Sequence, residues 1–310
     1  MSYLKLLNKI KEYNKITIYK HVKPDGDCVF SSLALYQFLK DNFSNKQIKI
    51  VGKDEYDLIT VNHKCSDAFI QESLGISLDT ATSSRIDDFR ALACKYLIKI
   101  DHHPLTEAFG DLNIVDDKSS STCELLANIF LSKQFKQYKL SKKTCEYLYC
   151  GMVTDTINFR TTNTTANTFN TASKIITKGD LQPSDLTEYV MDCSYETFKK
   201  KSQVRNYLVV DDKFGYVKLN KKELSKLKLA PNVAKTYIDE IGTIKDINVW
   251  AFAVEDNKLW DVSLRSKRGY TVNKIASKYN GGGHINAAAT KKLTNEQLDT
   301  LFIELKKLSK

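Results

Sequence analysis

The stretch Tyr96-Leu97-Ile98-Lys99-Ile100-Asp101-His102-His103-Pro104 decides how the rest of this sequence is interpreted. It begins as an apolar run with the length and composition of a buried strand. It ends in one acid and two imidazoles, and Pro104 then stops the strand because proline cannot donate to a sheet. The stretch therefore predicts a strand that delivers metal-binding side chains into the loop at its end.

Apolar segments typical of strands alternate with helical segments through the first half of the chain. Strands are predicted at Lys15–Tyr19, Ile48–Val51, Leu58–Val61, Gly75–Leu78, Tyr96–Ile100 and Asn113–Asp116. Helices are predicted at Cys28–Leu39, Cys123–Leu131 and Lys142–Cys150. This alternation predicts an α/β domain with an open, mostly parallel sheet that has helices on both faces.

Polar residues follow several of these strands. His21, Asp79 and Asp101 each lie where a predicted strand ends. Ligands of open parallel sheets bind beyond the carboxyl ends of the strands, so we expect these side chains to converge at one edge. Asp79 taken alone is explained equally well as a helix cap.

The length and composition predict a globular protein of two domains. A single core rarely grows beyond about 250–300 residues, and this chain has 310. With 42% hydrophobic and 27% charged residues, the composition excludes a disordered or membrane-embedded chain. The net charge of +10 suits a polyanionic partner such as nucleic acid, but the lysines are spread along the whole chain. Charge alone therefore carries little weight.

The sequence predicts a cytoplasmic location and no membrane partner. No apolar run is long enough to span a membrane, and the amphipathic residues 1–11 lack the apolar core of a signal peptide. The seven cysteines form no Cys-x-x-Cys pair, which is typical of reduced, buried thiols rather than of a disulfide framework or a zinc knuckle.

A domain boundary is predicted where the apolar periodicity weakens, near the run Lys199-Lys200-Lys201. Residues 1–187 would form the first domain, 188–202 a linker and 203–310 a smaller mixed α/β domain. Strands of the second domain are predicted at Phe214–Leu219, Ile247–Val254 and Leu259–Leu264, and helices at Asn232–Ile241 and from Asn295 onward.

The clustered acids and imidazoles form a candidate metal site. Its four carboxylates and two imidazoles are those of Asp25, Asp27, Asp79, Asp155, His21 and His102. This set is too hard for a thiolate zinc site and too rich in imidazole for calcium, so manganese fits best, with magnesium, iron or cobalt as alternatives. Six ligands with one shared carboxylate can hold two ions about 3.5–4 Å apart, as in phosphoester hydrolysis. A turn at Gly26 would direct Asp25 and Asp27 to different ions.

Candidate phosphate-binding residues lie in the second domain. The segment Trp260–Ser266 alternates as a strand, which turns Arg265 away from the apolar face. Gly281-Gly282-Gly283-His284 then precedes residues 285–289, which favour a helix. Bare amides beside a helix start would form an anion nest, and the alternative is a flexible glycine loop.

Two further groups in the first domain admit both a structural and a chemical interpretation. The hydroxyls of Ser119–Thr122 either cap the following helix or hold a phosphate. Arg160 is either a phosphate ligand or a surface arginine.

Taken together, these motifs resemble those of the DHH phosphoesterases, and the resemblance covers nearly the whole chain. The motifs that carry it are His21–Asp27, Leu78–Ala81, Asp101–His103, Gly151–Thr156 and Gly281–His284. The last is similar to the Gly-Gly-Gly-His loop of one type of DHH-associated domain. Chain length and domain order resemble those of the nanoRNase branch, whose members degrade very short RNAs and often dephosphorylate 3′-phosphoadenosine 5′-phosphate.

The resemblance implies two manganese ions, with magnesium or cobalt as alternatives, and an active site in the cleft between the domains. The residues implied to hold the first ion are His21, Asp25 and Asp79. Those implied for the second ion are Asp27, Asp79, His102 and Asp155, so that Asp79 bridges.

The resemblance also implies roles for residues that do not bind metal. His103 would lie beside the scissile phosphate, and Asp101 would orient the imidazoles. The residues implied to hold the terminal phosphate and nucleotide of the substrate are Arg265, Gly282, Gly283 and His284. The family often has glycine where this chain has Asn280, and usually where it has Ala289.

The expected activity is therefore that of a manganese-dependent phosphodiesterase acting on short RNA oligonucleotides and nucleoside bisphosphates. An alternative within the family is a phosphodiesterase for cyclic or linear dinucleotides. An alternative from another class is a nucleic-acid-binding protein without activity, against which every expected ligand is present. A two-domain enzyme of this type is also compatible with a homodimer.

Overall fold

The computed structural model describes residues 2–53, 56, 59 and 61–310. The chain divides into two compact units, residues 1–192 and 193–310. The division falls inside the segment 188–202 that the sequence assigned to a linker. That segment contains the end of one helix, Pro183–Met191, and most of the next, Tyr195–Arg205.

The first unit is built on a parallel sheet. Its strands are β1 Lys15–Tyr19, β2 Gln47–Val51, β3 Leu74–Leu78, β4 Tyr96–Asp101 and β5 Leu112–Val115. Their order is β2-β1-β3-β4-β5, and each neighbouring pair is parallel. All carboxyl ends therefore lie along one edge, as the alternation of segments predicted. The prediction of a strand at Leu58–Val61 falls partly outside the described residues.

Helices precede, separate and follow the strands of the first unit. They are α1 Ser2–Glu12, α2 Gly26–Asn42, α3 Asp67–Gln71, α4 Thr122–Phe130, α5 Lys142–Asp155, α6 Ala166–Gly179 and α7 Pro183–Met191. Short 3₁₀ helices lie at Ser83–Arg85 and Phe89–Ala93.

Both faces of this sheet are buried. On β1, Ile16 and Ile18 belong to a large apolar core that also holds side chains of α1, α2, α4, α5 and α6. Tyr19 instead packs in a smaller cluster with Ile70 of α3 and Ala91 of the second 3₁₀ helix. Alternate residues of a strand point to opposite faces, so the two clusters cover the two sides of the sheet. The predicted α/β layering is confirmed.

The helix α5 lies unusually close to its neighbours because glycines stand at two contacts. A Cβ at Gly151 would lie 2.2 Å from Cys123 Sγ of α4. A Cβ at Gly26 would lie 2.5 Å from Thr154 Oγ1. Gly26 is the first residue of α2 rather than the turn that the sequence suggested. These contacts bring the starts of α2 and α4 and the end of α5 together.

The second unit contains a mixed sheet. Its strands are β6 Leu208–Asp211, β7 Phe214–Leu219, β8 Val249–Asp256, β9 Leu259–Ser266, β10 Gly282–His284 and β11 Ala287–Leu293. The order is β10-β11-β9-β8-β7-β6, with β7 and β8 parallel and the other pairs antiparallel. The burial of β9 alternates, and Arg265 lies on its less buried face, as predicted.

Helices also cover both faces of the second sheet. They are α8 Tyr195–Arg205, α9 Lys221–Leu227, α10 Pro231–Ala234, α11 Val272–Lys278 and α12 Asn295–Ser309, with a 3₁₀ helix at Lys235–Thr243. One apolar cluster joins strand residues to α11 and α12, and another joins them to α9, α10 and the 3₁₀ helix.

The helix predicted after the glycine run is wrong, because residues 287–293 form the strand β11. Ala287 pairs with Arg265, and Ala288 pairs with Leu264. The preference of alanine for helix over most other residues is less than about 1 kcal/mol per residue. Pairing with β9 and the burial of Ala288 outweigh this small preference. The glycine run is therefore followed by a strand rather than by a helix start.

No helix among the described residues combines the length and apolar character needed to cross a membrane.

Candidate metal centre

The loop between β1 and α2 places three predicted ligands. His21 is buried just beyond β1, where it forms an isolated bridge to Ile86. Asp25 caps α2 and accepts a hydrogen bond from Cys28 N at 3.1 Å. Asp27, two residues later, is buried in the first turn. The cap position and the first turn direct the two carboxylates differently, as expected, but without a turn at Gly26.

Asp79 lies at the end of β3 in a left-handed backbone conformation with φ of 54°. Such a conformation costs non-glycine residues energy and is tolerated best by Asn and Asp. Its main-chain N–H donates to Ile100 O of β4 at 3.0 Å, which holds the bend. No described helix begins at Asp79, so the alternative of a helix cap is excluded in favour of a buried carboxylate directed at imidazoles.

The two oxygens of Asp79 face two different histidines. Oδ2 lies 3.5 Å from His21 Nε2, and Oδ1 lies 3.5 Å from His102 Nε2. His21 Nε2 also lies 3.7 Å from Asp25 Oδ2. Asp79 therefore stands between two groups of potential ligands.

The second group gathers residues from three elements. Asp27, His102 and Asp155 each offer an atom within 4.8 Å of the others, and His102 Nε2 lies 3.5 Å from Asp155 Oδ2. Asp155 is the last residue of α5, and His102 follows β4. The structure thus brings the other five predicted metal ligands of the first unit together around Asp79.

Asp101 is fully buried and engages His103. Its Oδ1 lies 2.7 Å from His103 Nδ1 and accepts the His103 main-chain N–H at 3.2 Å. His102 Nδ1 instead lies 3.3 Å from the carbonyl oxygen of Ser119. Each imidazole therefore has an orienting partner of its own. Asp101 orients His103, and the carbonyl group of Ser119 orients His102.

A buried lysine supports Asp101 from within the sheet. Lys99 is fully buried, and its Nζ lies 3.3 Å from Asp101 Oδ2. The same Nζ donates to Ala81 O at 2.7 Å and to Glu107 O at 3.1 Å. Lys99 therefore ties the loop after β3 to the loop after β4. The sequence did not single it out, although a lysine inside an apolar strand was the available signal.

Asp27 is held by the start of α4. The main-chain N–H groups of Thr122 and Cys123 donate to its two oxygens at 2.7 and 2.9 Å, and Ser121 caps the helix. The helix start favours a negative charge. The hydroxyl-rich segment therefore does cap α4, while its amides bind a carboxylate of the protein. The Thr122 hydroxyl also donates to Asp79 Oδ1 at 3.1 Å, a contact that sequence reasoning missed.

The electrostatics of this edge favour a bound cation. Burial, followed by the charges of Asp79 and Asp155, raises the pKa of Asp27 well above its usual range. Burial opposes protonation of His103, but the Asp101 hydrogen bond and the Asp79 charge outweigh it and raise the pKa of His103. Repelling buried carboxylates beside imidazoles are the donor chemistry of a divalent cation site. The residues present therefore fit such a site.

The predicted phosphate-binding residues of the second unit lie on β9 and β10, two strands that β11 separates in the sheet. Arg265 of β9 is partly exposed, with its Nε 3.5 Å from Asp239 Oδ1. Gly282 and Gly283 belong to the edge strand β10 together with His284, and both glycines are exposed. Packing requires glycine at 283, where φ is 136°, but an added Cβ at Gly282 would meet nothing within 4 Å.

The departures from the family pattern have simple structural settings. Asn280 adopts φ of 53°, a conformation that asparagine tolerates better than most non-glycine residues. Ala289 pairs with Gly282 and is exposed. Arg160, in the first unit, is exposed and follows a left-handed turn at residues 157–159. Arg160 lies five residues after Asp155 in the chain, and its predicted phosphate contact stays a prediction.

Comparison with known protein families gives two matches. The model of the DHH family, N-terminal domain, matches residues 15–152. The model of the DHHA1 domain matches residues 211–309.

Similar proteins extend over the whole chain. A probable bifunctional oligoribonuclease and PAP phosphatase NrnA of Streptococcus mutans is 34% identical, covering 98% of each chain. The bifunctional oligoribonuclease and PAP phosphatase NrnA of Bacillus subtilis is 31% identical with the same coverage. The crystal structure of an exopolyphosphatase-related protein of Bacteroides fragilis is similar at a TM-score of 0.86, with 26% identity over 98% of this chain and 96% of that one.

The contacts of Lys99 predict a large effect on stability. Lys99→Met removes the cation beside buried Asp101 and takes the hydrogen-bond donor away from the carbonyl groups of Ala81 and Glu107. The free energy of unfolding should therefore fall by about 3–5 kcal/mol. Urea unfolding of the full chain, followed by circular dichroism, measures this change.

The matched control is Lys49→Met on β2, whose Nζ donates to Lys64 O near the surface. It should change the free energy of unfolding by less than about 1 kcal/mol. Similar small changes for both variants would contradict a structural role for the Lys99–Asp101 pair.

Proposed function

The chain belongs to the DHH family of phosphoesterases, as its motifs predicted, and we propose that it hydrolyses short oligoribonucleotides to 5′-mononucleotides with two divalent cations. We further propose that it dephosphorylates 3′-phosphoadenosine 5′-phosphate. Both activities appear in the names of the two similar proteins from Streptococcus mutans and Bacillus subtilis, which span the same length.

The observation that carries the proposal is the position of the Asp79 carboxylate. It presents one oxygen to His21 and the other to His102, each at 3.5 Å. A carboxylate shared in this way is what two neighbouring cations require. His21, Asp25 and Asp79 would hold the first cation, and the second would be held by Asp27, Asp79, His102 and Asp155.

Bound cations would polarise the phosphate ester and lower the pKa of a water molecule, so that hydroxide is available near neutral pH. The protein's own residues position the groups around that centre. Asp27 is fixed by two main-chain donors from α4, and Asp79 by the Thr122 hydroxyl and the backbone of β4. Manganese is the proposed cation, since carboxylates with two imidazoles suit it.

His103 is proposed to contact the scissile phosphate. Its ring is partly exposed, whereas Asp101 beneath it is fully buried. The hydrogen bond from Nδ1 to Asp101 sets the orientation of the ring, and the raised pKa favours the protonated form. A protonated Nε2 would donate to a phosphate oxygen and offset the charge that develops there.

The second unit is proposed to hold the terminal phosphate and nucleotide through Arg265, Gly282, Gly283 and His284, with Arg160 assisting from the first unit. Arg265 offers a planar fork suited to phosphate. The open space around Gly282 leaves main-chain groups accessible to a ligand. Capture of a terminal phosphate would admit short substrates and disfavour long RNA.

The alternative activity is hydrolysis of cyclic or linear dinucleotides, which uses the same cations. The coverage of 98% of both named relatives favours short RNA and the bisphosphate instead. A binding protein without activity is disfavoured because the six ligands converge.

A cytoplasmic location and a homodimer belong to the proposal, and the seven free cysteines support a reducing location.

The substrate proposal predicts a length-dependent rate. Purified protein with Mn²⁺ should release mononucleotides from RNA dinucleotides and pentanucleotides at least about tenfold faster than from a long RNA, and should release phosphate from 3′-phosphoadenosine 5′-phosphate. Chromatography of the products, with cyclic di-AMP as a parallel substrate, measures both. Equal rates on long and short RNA would contradict terminal capture, and turnover of cyclic di-AMP alone would favour the alternative.

The bridging position of Asp79 predicts a loss of activity on substitution. Substitution of groups that merely orient metal ligands costs about 10–100-fold, so Asp79→Asn should reduce kcat/KM on pentanucleotides by about 100-fold or more, with weaker Mn²⁺ binding. Steady-state kinetics and metal analysis measure the two effects.

The control for Asp79 is Asp117→Asn, which removes an exposed carboxylate shortly after β5. It should leave kcat/KM within about twofold. An Asp79→Asn protein with wild-type metal content and rate would refute the bridging assignment.

The proposed phosphate contact of Arg265 predicts a binding defect. Losing a charged hydrogen bond of about 1.5–3 kcal/mol should raise KM for pentanucleotides about 10- to 100-fold with a smaller change in kcat. The control is Arg268→Ala, an exposed arginine nearby on the chain. Comparable KM values for the two variants would contradict the assignment.

A further inference from the structure

A buried thiol lies beside the first group of ligands. Cys28 is the third residue of α2 and is fully buried. One ligand atom each from His21, Cys28 and Asp79 lies within 4.8 Å of the others. The sequence predicted reduced, buried thiols, and the structure places this buried thiol among potential metal ligands.

Two contacts hold the sulfur in this position. Cys28 Sγ accepts the main-chain N–H of His21 at 3.3 Å and is 3.9 Å from Leu78 O. Leu78 is the last residue of β3, directly before Asp79. The sulfur is therefore anchored to the two chain segments that carry the other two ligands.

The spacing is compatible with coordination. Ligands of a tetrahedral zinc ion at about 2.0 and 2.3 Å lie roughly 3.6 Å apart. His21 Nε2 and Asp79 Oδ2 are 3.5 Å apart, and the sulfur lies within 4.8 Å of one ring nitrogen of His21 and one carboxylate oxygen of Asp79. A movement of the sulfur by little more than about 1 Å would complete a mixed nitrogen, sulfur and oxygen set.

The two groups of ligands differ in chemistry. The group of Asp27, His102 and Asp155 contains carboxylates and imidazole, which suit Mn²⁺ and Mg²⁺. The group of His21, Cys28 and Asp79 contains a soft sulfur donor, which suits Zn²⁺, Co²⁺ and Fe²⁺ better. The positions on either side of Asp79 are therefore not equivalent.

We propose that Cys28 is a further side-chain ligand of the first cation, beside His21, Asp25 and Asp79, and that its sulfur adds affinity for thiophilic divalent cations such as Zn²⁺ to a position that also binds Mn²⁺. The inference rests on the proposed two-cation function of the site. On coordination the thiol gives its proton to solvent, and the sulfur supplies the electron pair of the new bond.

The experiment uses full-length protein freed of metal with a chelator and titrated with Co²⁺. A thiolate bound to Co²⁺ produces a near-ultraviolet charge-transfer band, and visible ligand-field bands show that Co²⁺ is bound. Wild type should show both, and Cys28→Ala should retain the visible bands and lose the charge-transfer band. Its affinity for Zn²⁺ should fall about 10- to 100-fold while that for Mn²⁺ stays within about twofold.

The matched control is Cys123→Ala. Cys123 is equally buried, and its Sγ lies 3.8 Å from the main-chain oxygen of Asp27. This variant should keep the charge-transfer band. X-ray absorption of the wild-type protein with a single equivalent of Zn²⁺ should show a sulfur ligand at about 2.3 Å, which tests the proposal even if a variant fails to fold.

The inference would be overturned if the charge-transfer band persisted in Cys28→Ala. It would also be overturned if wild-type protein showed the visible bands but no charge-transfer band. A zinc spectrum without sulfur would likewise overturn it. These readouts do not require turnover. A protein that cleaves short RNA but lacks a sulfur–metal bond refutes only the Cys28 assignment. One that shows the bond but cleaves no phosphoester refutes only the proposed activity.

Discussion

The burial of several carboxylates at one edge of a parallel sheet is the constraint on which the first unit depends. Asp27, Asp79 and Asp101 are each almost inaccessible to solvent. A buried charge is tolerated only when it is paired and hydrogen-bonded. Each of the three carboxylates therefore has its own hydrogen-bonding or charged partners, and the helices and strands of the fold supply those partners.

The partners of these carboxylates explain several otherwise puzzling features. Asp27 takes main-chain donors from the start of α4, which requires α4 to approach α2 closely. Asp101 takes the Lys99 cation and His103. Asp79 takes the Thr122 hydroxyl and lies between imidazoles in a left-handed backbone conformation. The glycine at 151 permits this packing, because any Cβ there would collide with Cys123 and approach Asp27 Oδ1 to 3.1 Å.

The second unit follows a different principle. Its exposed glycines lie on an edge strand, and the adjoining alanine segment is paired in the sheet rather than helical. Glycine is required at 281 and 283 by the close approach of β11 main-chain atoms, while nothing in the packing requires it at 282. The outer two of the three adjacent glycines are therefore required by packing, whereas the middle one leaves space for a ligand. The composition of the run does not reveal this difference.

The sequence by itself determined the parallel sheet and the convergence of acids and histidines at its edge. Strand and helix periodicities are local properties, and parallel connectivity brings all carboxyl ends to one side. Local propensity failed at residues 287–293, where pairing with β9 overrides the helix preference of alanine. The sequence also did not predict which individual side chains contact each other. Only the tertiary structure decided that Asp101 serves His103, that Lys99 supports Asp101, and that Cys28 joins His21 and Asp79. Such contacts depend on distances of a few ångströms between segments far apart in the chain, which no local pattern encodes.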